Sequence, residues 1–231
     1  MRDVWHLQKL DWLHELSTED REKLQRASAV EDYGPGEMVF SPEPSPQSIY
    51  LLEVGLVRIF RLSRAGAETT FGYVAPGEVF GELTGFGDFP RESFAQTVKK
   101  SRAWRIPRAA FQALLGREPG LVLAVTRQMG MRLKRIESRV EDLVFRDVRS
   151  RVAHILLELA EDFGRREDGG TVIESPPTQS ELATLVGSTR QTVNATLREL
   201  ETLGLIARGP GRLHLCRPED LRLLAASVPH A

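Results

Sequence analysis

Apolar residues recur along the chain with three different spacings. Between about Gly34 and Pro107 they come in short runs: Ile49-Tyr50-Leu51-Leu52, Leu56-Val57-Arg58-Ile59-Phe60 and Thr69-Thr70-Phe71-Gly72-Tyr73-Val74. Turn formers separate them: Gly34-Pro35-Gly36, Arg64-Ala65-Gly66 and Ala75-Pro76-Gly77. Many short strands at such spacing predict an all-β sandwich or jelly roll, with a second sheet covering the edges of the first. Ahead of it, Ser17-Thr18-Glu19-Asp20 has the form of an N-cap opening a short helix toward Ala27.

From Gly120 to Phe145 the spacing becomes helical. Val122, Val125, Met129, Leu133, Ile136, Val140 and Leu143 follow one another at steps of three and four. That is the seam two parallel helices share, and it predicts a homodimer; packing on the chain's own β domain is the alternative. The other faces carry Arg132, Lys134, Arg135, Glu137, Arg139, Glu141 and Asp142.

The third pattern starts at Asp147, which is placed to cap a helix whose apolar face is Val148, Val152, Ile155, Leu156 and Leu159. Arg165-Arg166-Glu167-Asp168-Gly169-Gly170 reads as a polar loop and Thr171-Val172-Ile173 as a short strand. Pro176-Pro177 then forces an extended approach to the next element. Together these define an α+β chain: a β jelly roll over 1–119, a long dimerisation helix over 120–145 and a winged helix-turn-helix domain over 146–231.

The helix-turn-helix rests on cap chemistry. Thr178-Gln179-Ser180-Glu181 is a capping box, the helix after it turns Leu182, Leu185 and Val186 inward, and Gly187 stops it. Ser188-Thr189 opens a second helix with Val193, Leu197 and Leu200 on one stripe and Arg190, Gln191, Asn194 and Arg198 on the other side. Arginine can bond both acceptors of guanine, and glutamine or asparagine can pair with adenine's N7 and amine. Thr178, Gln179, Ser180, Ser188 and Thr189 sit at helix starts, where hydroxyls and free backbone N–H groups meet phosphates. Leu205-Ile206-Ala207 and Arg212 to Cys216 form a wing about Gly209-Pro210-Gly211, with Arg208 and Arg212 beside the groove. Double-stranded DNA is therefore the expected partner.

Composition narrows this without redirecting it. A net charge of −1 over 231 residues argues weakly against nucleic acid, but phosphate attraction depends on local clustering of positive groups. Arg190, Arg198, Arg208 and Arg212 supply that cluster. A single cysteine, Cys216, excludes an internal disulfide and a thiolate-held iron–sulfur cluster. His6, His14, His154, His214 and His230 have no metal-like spacing, and no histidine or cysteine lies between Gly34 and Pro107 to hold haem. No metal or cofactor is expected. The start Met1 to His6 lacks a signal-peptide pattern, and no apolar run reaches bilayer length, so a cytoplasmic protein without membrane contact is expected. No nucleophile–base set or phosphate loop with lysine points to an enzyme.

Three motifs carry a resemblance that covers nearly the whole chain. Gly77-Glu78-Val79-Phe80-Gly81-Glu82-Leu83 resembles the phosphate-cassette opening of the CRP/FNR regulators, Phe145-Arg146-Asp147-Val148 their hinge, and Gly187 to Val193 their recognition-helix start. The resemblance implies a cyclic-nucleotide-binding-like β domain, a homodimer on a two-fold-related operator with half-sites roughly 34 Å apart, and contact with RNA polymerase. In members that bind cyclic AMP, the cassette glutamate holds the ribose, and an arginine followed by serine or threonine holds the phosphate. Here Gly81, Glu82, Leu83 and Arg91 match, but Glu92 stands at the hydroxyl position, where a carboxylate repels phosphate unless it turns away. The loop is about one residue short of the best-known cyclic AMP receptor's, and Ile136 and Glu137 stand where that receptor's adenine contacts lie. Arg91 is expected instead to pair with Glu82 or Glu92 and close an empty pocket. Control by cyclic AMP is not expected; a cyclic-nucleotide-responsive signalling regulator using the Glu82/Arg91 cassette is the alternative. Gln191 replaces a frequent glutamate and Ala195 a frequent arginine, so the operator should differ from that receptor's.

Overall fold

A computed structural model describes residues 16–66, 68–167 and 169–227. The Met1 to His6 start and His6, His14 and His230 lie outside the described residues. The chain forms two compact units, one running through Leu133 and the other from Lys134.

The first unit opens with α1 (Thr18–Ala27), whose first turn is capped by Ser17 Oγ accepting the Asp20 amide at 3.1 Å. The strands β1 (Ala29–Tyr33), β2 (Met38–Phe40), β3 (Ser48–Leu62), β4 (Glu68–Val74), β5 (Val79–Phe80) and β6 (Phe94–Pro107) follow. They form one antiparallel sheet in the order β1-β6-β3-β4, with β2 on β6 and β5 on β3. The runs expected as separate strands at 49–52 and 56–60 are two halves of β3. Between them the register against β6 shifts from Leu52 to Val57, and Gly55 adopts φ 113°. A Cβ on Gly55 would lie 2.1 Å from Ser101 Oγ, so glycine lets the strands stay in contact through the bulge. Ser101 Oγ also accepts the Leu56 amide at 3.2 Å.

Bulges bend a sheet and sharpen its twist. One face of this one encloses Phe40, Tyr50, Leu52, Val57, Val74, Phe80, Ala95 and Ala103. The other is covered by helices: Ile49, Leu51, Val79 and Ile106 pack with Leu24, Phe111, Leu114, Leu121, Ala124 and Val125. Burial on both faces explains why β3 is apolar almost without alternation. The covering helices are α1, α2 (Leu83–Phe86), α3 (Arg108–Leu115) and the start of α4 (Pro119–Phe145).

This packing corrects part of the expected seam. Val125 is buried in the unit's own core and so is not free for a second chain; Met129 packs partly against that core, and Val122 is half-buried. The β domain uses the first turns of α4 as its lid. Further along, Leu133, Ile136, Val140 and Leu143 are exposed by 56%, 40%, 56% and 52%, an apolar row left in water.

In the second unit, α5 (Val148–Phe163) follows the end of α4, and Asp147 caps it by accepting the Ser150 amide at 2.7 Å. Arg135 pairs with Asp162 at 2.7 Å and Arg139 with Glu158 at 3.7 Å, while Asp142 takes His154 and, at 3.1 Å, Arg146. The segment expected as a polar loop contains β7 (Gly164–Glu167), paired with β8 (Gly170–Glu174) about Gly169. Its charged side chains hide the strand, because this edge needs only backbone pairing with Val172 and Thr171. Then come α6 (Gln179–Val186), α7 (Arg190–Thr202), β9 (Ile206–Gly209), β10 (Arg212–Leu215) and α8 (Pro218–Ala226). The second sheet runs β7-β8-β10-β9.

Candidate nucleic-acid interface and effector pocket

Both helices of the α6–α7 pair start where their caps dictate. Thr178 Oγ1 accepts the Glu181 amide at 3.2 Å while the Glu181 carboxylate accepts the Thr178 amide at 2.7 Å, a closed capping box. Gly187 ends α6 at φ 67°, ψ 48°, a left-handed conformation that frees the chain to turn at once. Thr189 Oγ1 then accepts the Thr192 amide at 3.1 Å. Val193, Thr196, Leu197 and Leu200 are buried and set the rotation of α7. Arg190 and Gln191 are consequently exposed at its first turn, and no described residue hydrogen-bonds either side chain. Arg198 and Ala195 are exposed farther along, while Asn194 is half-buried. Thr178, Ser180 and Thr189 are exposed at the helix starts, with Gln179 and Ser188 half-buried beside them.

The wing arginines are not idle. Arg212 reaches Glu174 at 2.8 Å, and Arg208 binds Glu201 on α7 and lies 3.4 Å from Asn194 Oδ1. Glu201 holds the Arg208 guanidinium above its ordinary pKa, and the arginine in return holds that carboxyl below its own. The Arg212–Glu174 pair is exposed and worth little by itself. Sequence reasoning misses Glu201 and Glu174; nothing in their spacing marks them, since their partners come from other strands.

The cassette is built differently from expectation. Glu82 is buried, but its partner is Arg132 of α4, at 2.9 Å. Arg132 also donates to Val79 O at 2.8 Å and lies 3.6 Å from Glu78. One turn earlier, the Gln128 amide brackets Val79, accepting from its N–H at 2.9 Å and donating to its carbonyl at 2.5 Å. Gln128 and Arg132 stand four apart on one face of α4 and together clamp it to the cassette.

Arg91 pairs with neither Glu82 nor Glu92, which corrects the expected closure. Its guanidinium donates to Ser48 O at 2.5 Å, lies 3.9 Å from Glu43 and sits 4.1 Å above the Phe40 ring. An antiparallel bridge joins the Glu43 and Arg91 backbones and holds it there. Burial pulls this arginine below its ordinary pKa, partly opposed by Tyr50 and Glu43. Gly81, at φ 70°, passes close by: a Cβ there would lie 3.1 Å from Arg91 Nη2. Glu92 turns outward to Arg61 at 2.7 Å. Leu83 is exposed, and Ile136 and Glu137 are exposed on the part of α4 that belongs to the second unit.

A bent β domain that carries an arginine–glutamate cassette, followed by a long helix and a winged helix-turn-helix with a polar first turn, defines a DNA-binding regulator of transcription. Residues 30–118 match the family model described as a cyclic nucleotide-binding domain, and residues 150–224 the one described as a Crp-like helix-turn-helix domain. The chain is 35% identical over 175 residues to a CRP-like cAMP-activated global transcriptional regulator of Mycobacterium tuberculosis, covering 76% of this chain and 78% of that protein. To the cyclic AMP receptor protein of Thermus thermophilus it is 30% identical over 183 residues, 79% of this chain and 82% of the relative. The crystal structure of a CRP/FNR-family transcriptional regulator, also from Thermus thermophilus, superposes with a TM-score of 0.71 at 29% identity, covering 86% of this chain and 99% of that one. The chain belongs to the CRP/FNR family of transcription regulators.

Proposed function

We propose that this regulator acts as a homodimer on a two-fold-related operator, reading each half-site with Arg190, Gln191 and Asn194, and that it does so without cyclic AMP. One observation carries the DNA-reading part: α7 presents Arg190 and Gln191 to solvent at a capped first turn while its buried stripe fixes their direction. Thr178, Gln179, Ser180, Ser188 and Thr189 then meet phosphates, with Arg198, Arg208 and Arg212 flanking them. Footprinting with purified protein on promoters of its own genome is expected to show protected two-fold sites; absence of any protection sinks the proposal.

The exposed row Leu133, Ile136, Val140 and Leu143 supports the homodimer, since apolar residues at coiled-coil spacing form a stripe that a second helix can bury. Independence from cyclic AMP draws on the cassette. Glu82 is already engaged by Arg132, and Ile136 and Glu137 offer no adenine-binding hydroxyl. One observation favours the alternative of a cyclic-nucleotide-responsive regulator: Glu92 turns away to Arg61, so it does not oppose a phosphate at Arg91. Calorimetry with cyclic AMP and cyclic GMP separates the two, because saturable tight binding overturns nucleotide independence.

The family likeness supports contact with RNA polymerase and a regulatory rather than enzymatic role. No helix among the described residues is long and apolar enough to cross a membrane. The lone Cys216 supports the expectation of no thiolate-held iron–sulfur cluster.

A further inference from the structure

Asn194 is held by its neighbours in a way that decides what it can read. Its Oδ1 accepts from Gln179 Nε2 at 3.2 Å and is approached by Arg208 Nη1 at 3.4 Å. Gln179 comes from α6 and Arg208 from β9, so two elements converge on one oxygen of α7. Arg208 is itself aimed by Glu201, which binds Nη2 with one carboxylate oxygen and accepts the Arg208 amide at 3.2 Å with the other. A guanidinium has donors and no acceptor, so the Asn194 atom facing it must be the carbonyl oxygen. Nδ2 is left with no protein partner among the described residues.

A free asparagine reads adenine by donating to N7 and accepting from the N6 amine. This one has spent its acceptor. Resting on the DNA-reading assignment above, we infer that Asn194 is a donor-only reader that selects a G·C pair through guanine's N7 and O6, with Glu201 and Gln179 as positioning residues. Glu201 never touches the base; it sets the base preference by holding Arg208 against Asn194.

Selection of duplexes from a random library by the full-length protein tests this, alongside Arg190→Ala, Asn194→Ala, Asn194→Asp and Glu201→Gln, each checked by thermal melting. One position per half-site is expected to be G·C for the wild type and to lose its preference by roughly tenfold or more in Asn194→Ala. Replacing that guanine by 7-deazaguanine should weaken the wild type and leave Asn194→Ala unaffected. Asn194→Asp, which offers acceptors only, should reject guanine there. Glu201→Gln should blur the same position while keeping its melting temperature. An A·T pair at the Asn194-dependent position overturns the inference, as does a preference unmoved by Asn194→Ala. A Glu201→Gln profile identical to wild type removes the positioning role. If wild type enriches a sequence that Arg190→Ala changes and Asn194→Ala does not, DNA reading stands and only the Asn194 inference falls. If no sequence is enriched at all, the DNA-reading assignment itself fails.

Discussion

Arg190 and Asp147 show two ways in which a single side chain acts in this molecule. Arg190 stands free at the start of α7, and its fork matches the two acceptors of guanine. Arg190→Ala is expected to cost about 1–3 kcal/mol on the selected operator and to relax preference at one base pair, measured by titration against matched and substituted duplexes. An equal loss on random DNA would make it a phosphate contact instead. Asp147 acts within the chain. The Ser150 backbone amide holds its carboxyl below the ordinary 3.8, helped by the Ser150 side chain and by Arg149. A carboxyl depressed in the folded state stabilises it fully above the unfolded pKa, and that stabilisation is lost as pH falls through the folded one. The stability gap between wild type and Asp147→Ala should therefore be constant above about pH 5 and shrink below about pH 4, read from urea unfolding at each pH. A gap unchanged at low pH would mean the cap works without its charge.

At the scale of elements, α4 does two jobs along its length. Its first turns close the β domain, and the Gln128–Arg132 face grips the cassette at Val79 and Glu82. Gln128 is buried and satisfies both backbone groups of Val79. Gln128→Leu leaves that amide without a partner while the carbonyl keeps Arg132, so a destabilisation of about 1–3 kcal/mol is expected in urea unfolding. A neutral result would show that water takes over the bracket. The α6–α7 pair depends on caps in the same way. Thr178→Ala removes one half of the capping box and should cost about 1 kcal/mol.

For the molecule as a whole, the proposed homodimer rests on the apolar row on the later turns of α4. Val140, 56% exposed, lies in the middle of it. Val140→Glu is expected to convert the protein to a monomer in sedimentation equilibrium. Because two linked readers gain by effective concentration, affinity for a two-half-site operator should fall by about 10²-fold or more while a single half-site is bound as before. Persistence of the dimer would send the row's exposure in search of another partner.

Much of this is legible in the chain because the contacts involved are short. Every cap named from sequence, at Ser17, Asp147, Thr178 and Thr189, joins a side chain to an amide three residues on, and such bonds depend on local residues alone. The helical period of α4 and the stripe of α7 follow from the same 3.6-residue geometry. What the tertiary structure decided are the partners chosen across long stretches of chain. Arg91 bonds Ser48 from 43 residues away and Arg132 bonds Glu82 from 50. Several carboxylates were equally available to each arginine by type, and only the register of the sheet and the seating of α4 select among them. The same holds for β3, whose halves look separate until Gly55 is seen to bulge against Ser101. It holds also for Val125, whose spacing fits a dimer seam and whose burial belongs to its own core. A period states which residues share a face; what covers that face is set by everything folded around it.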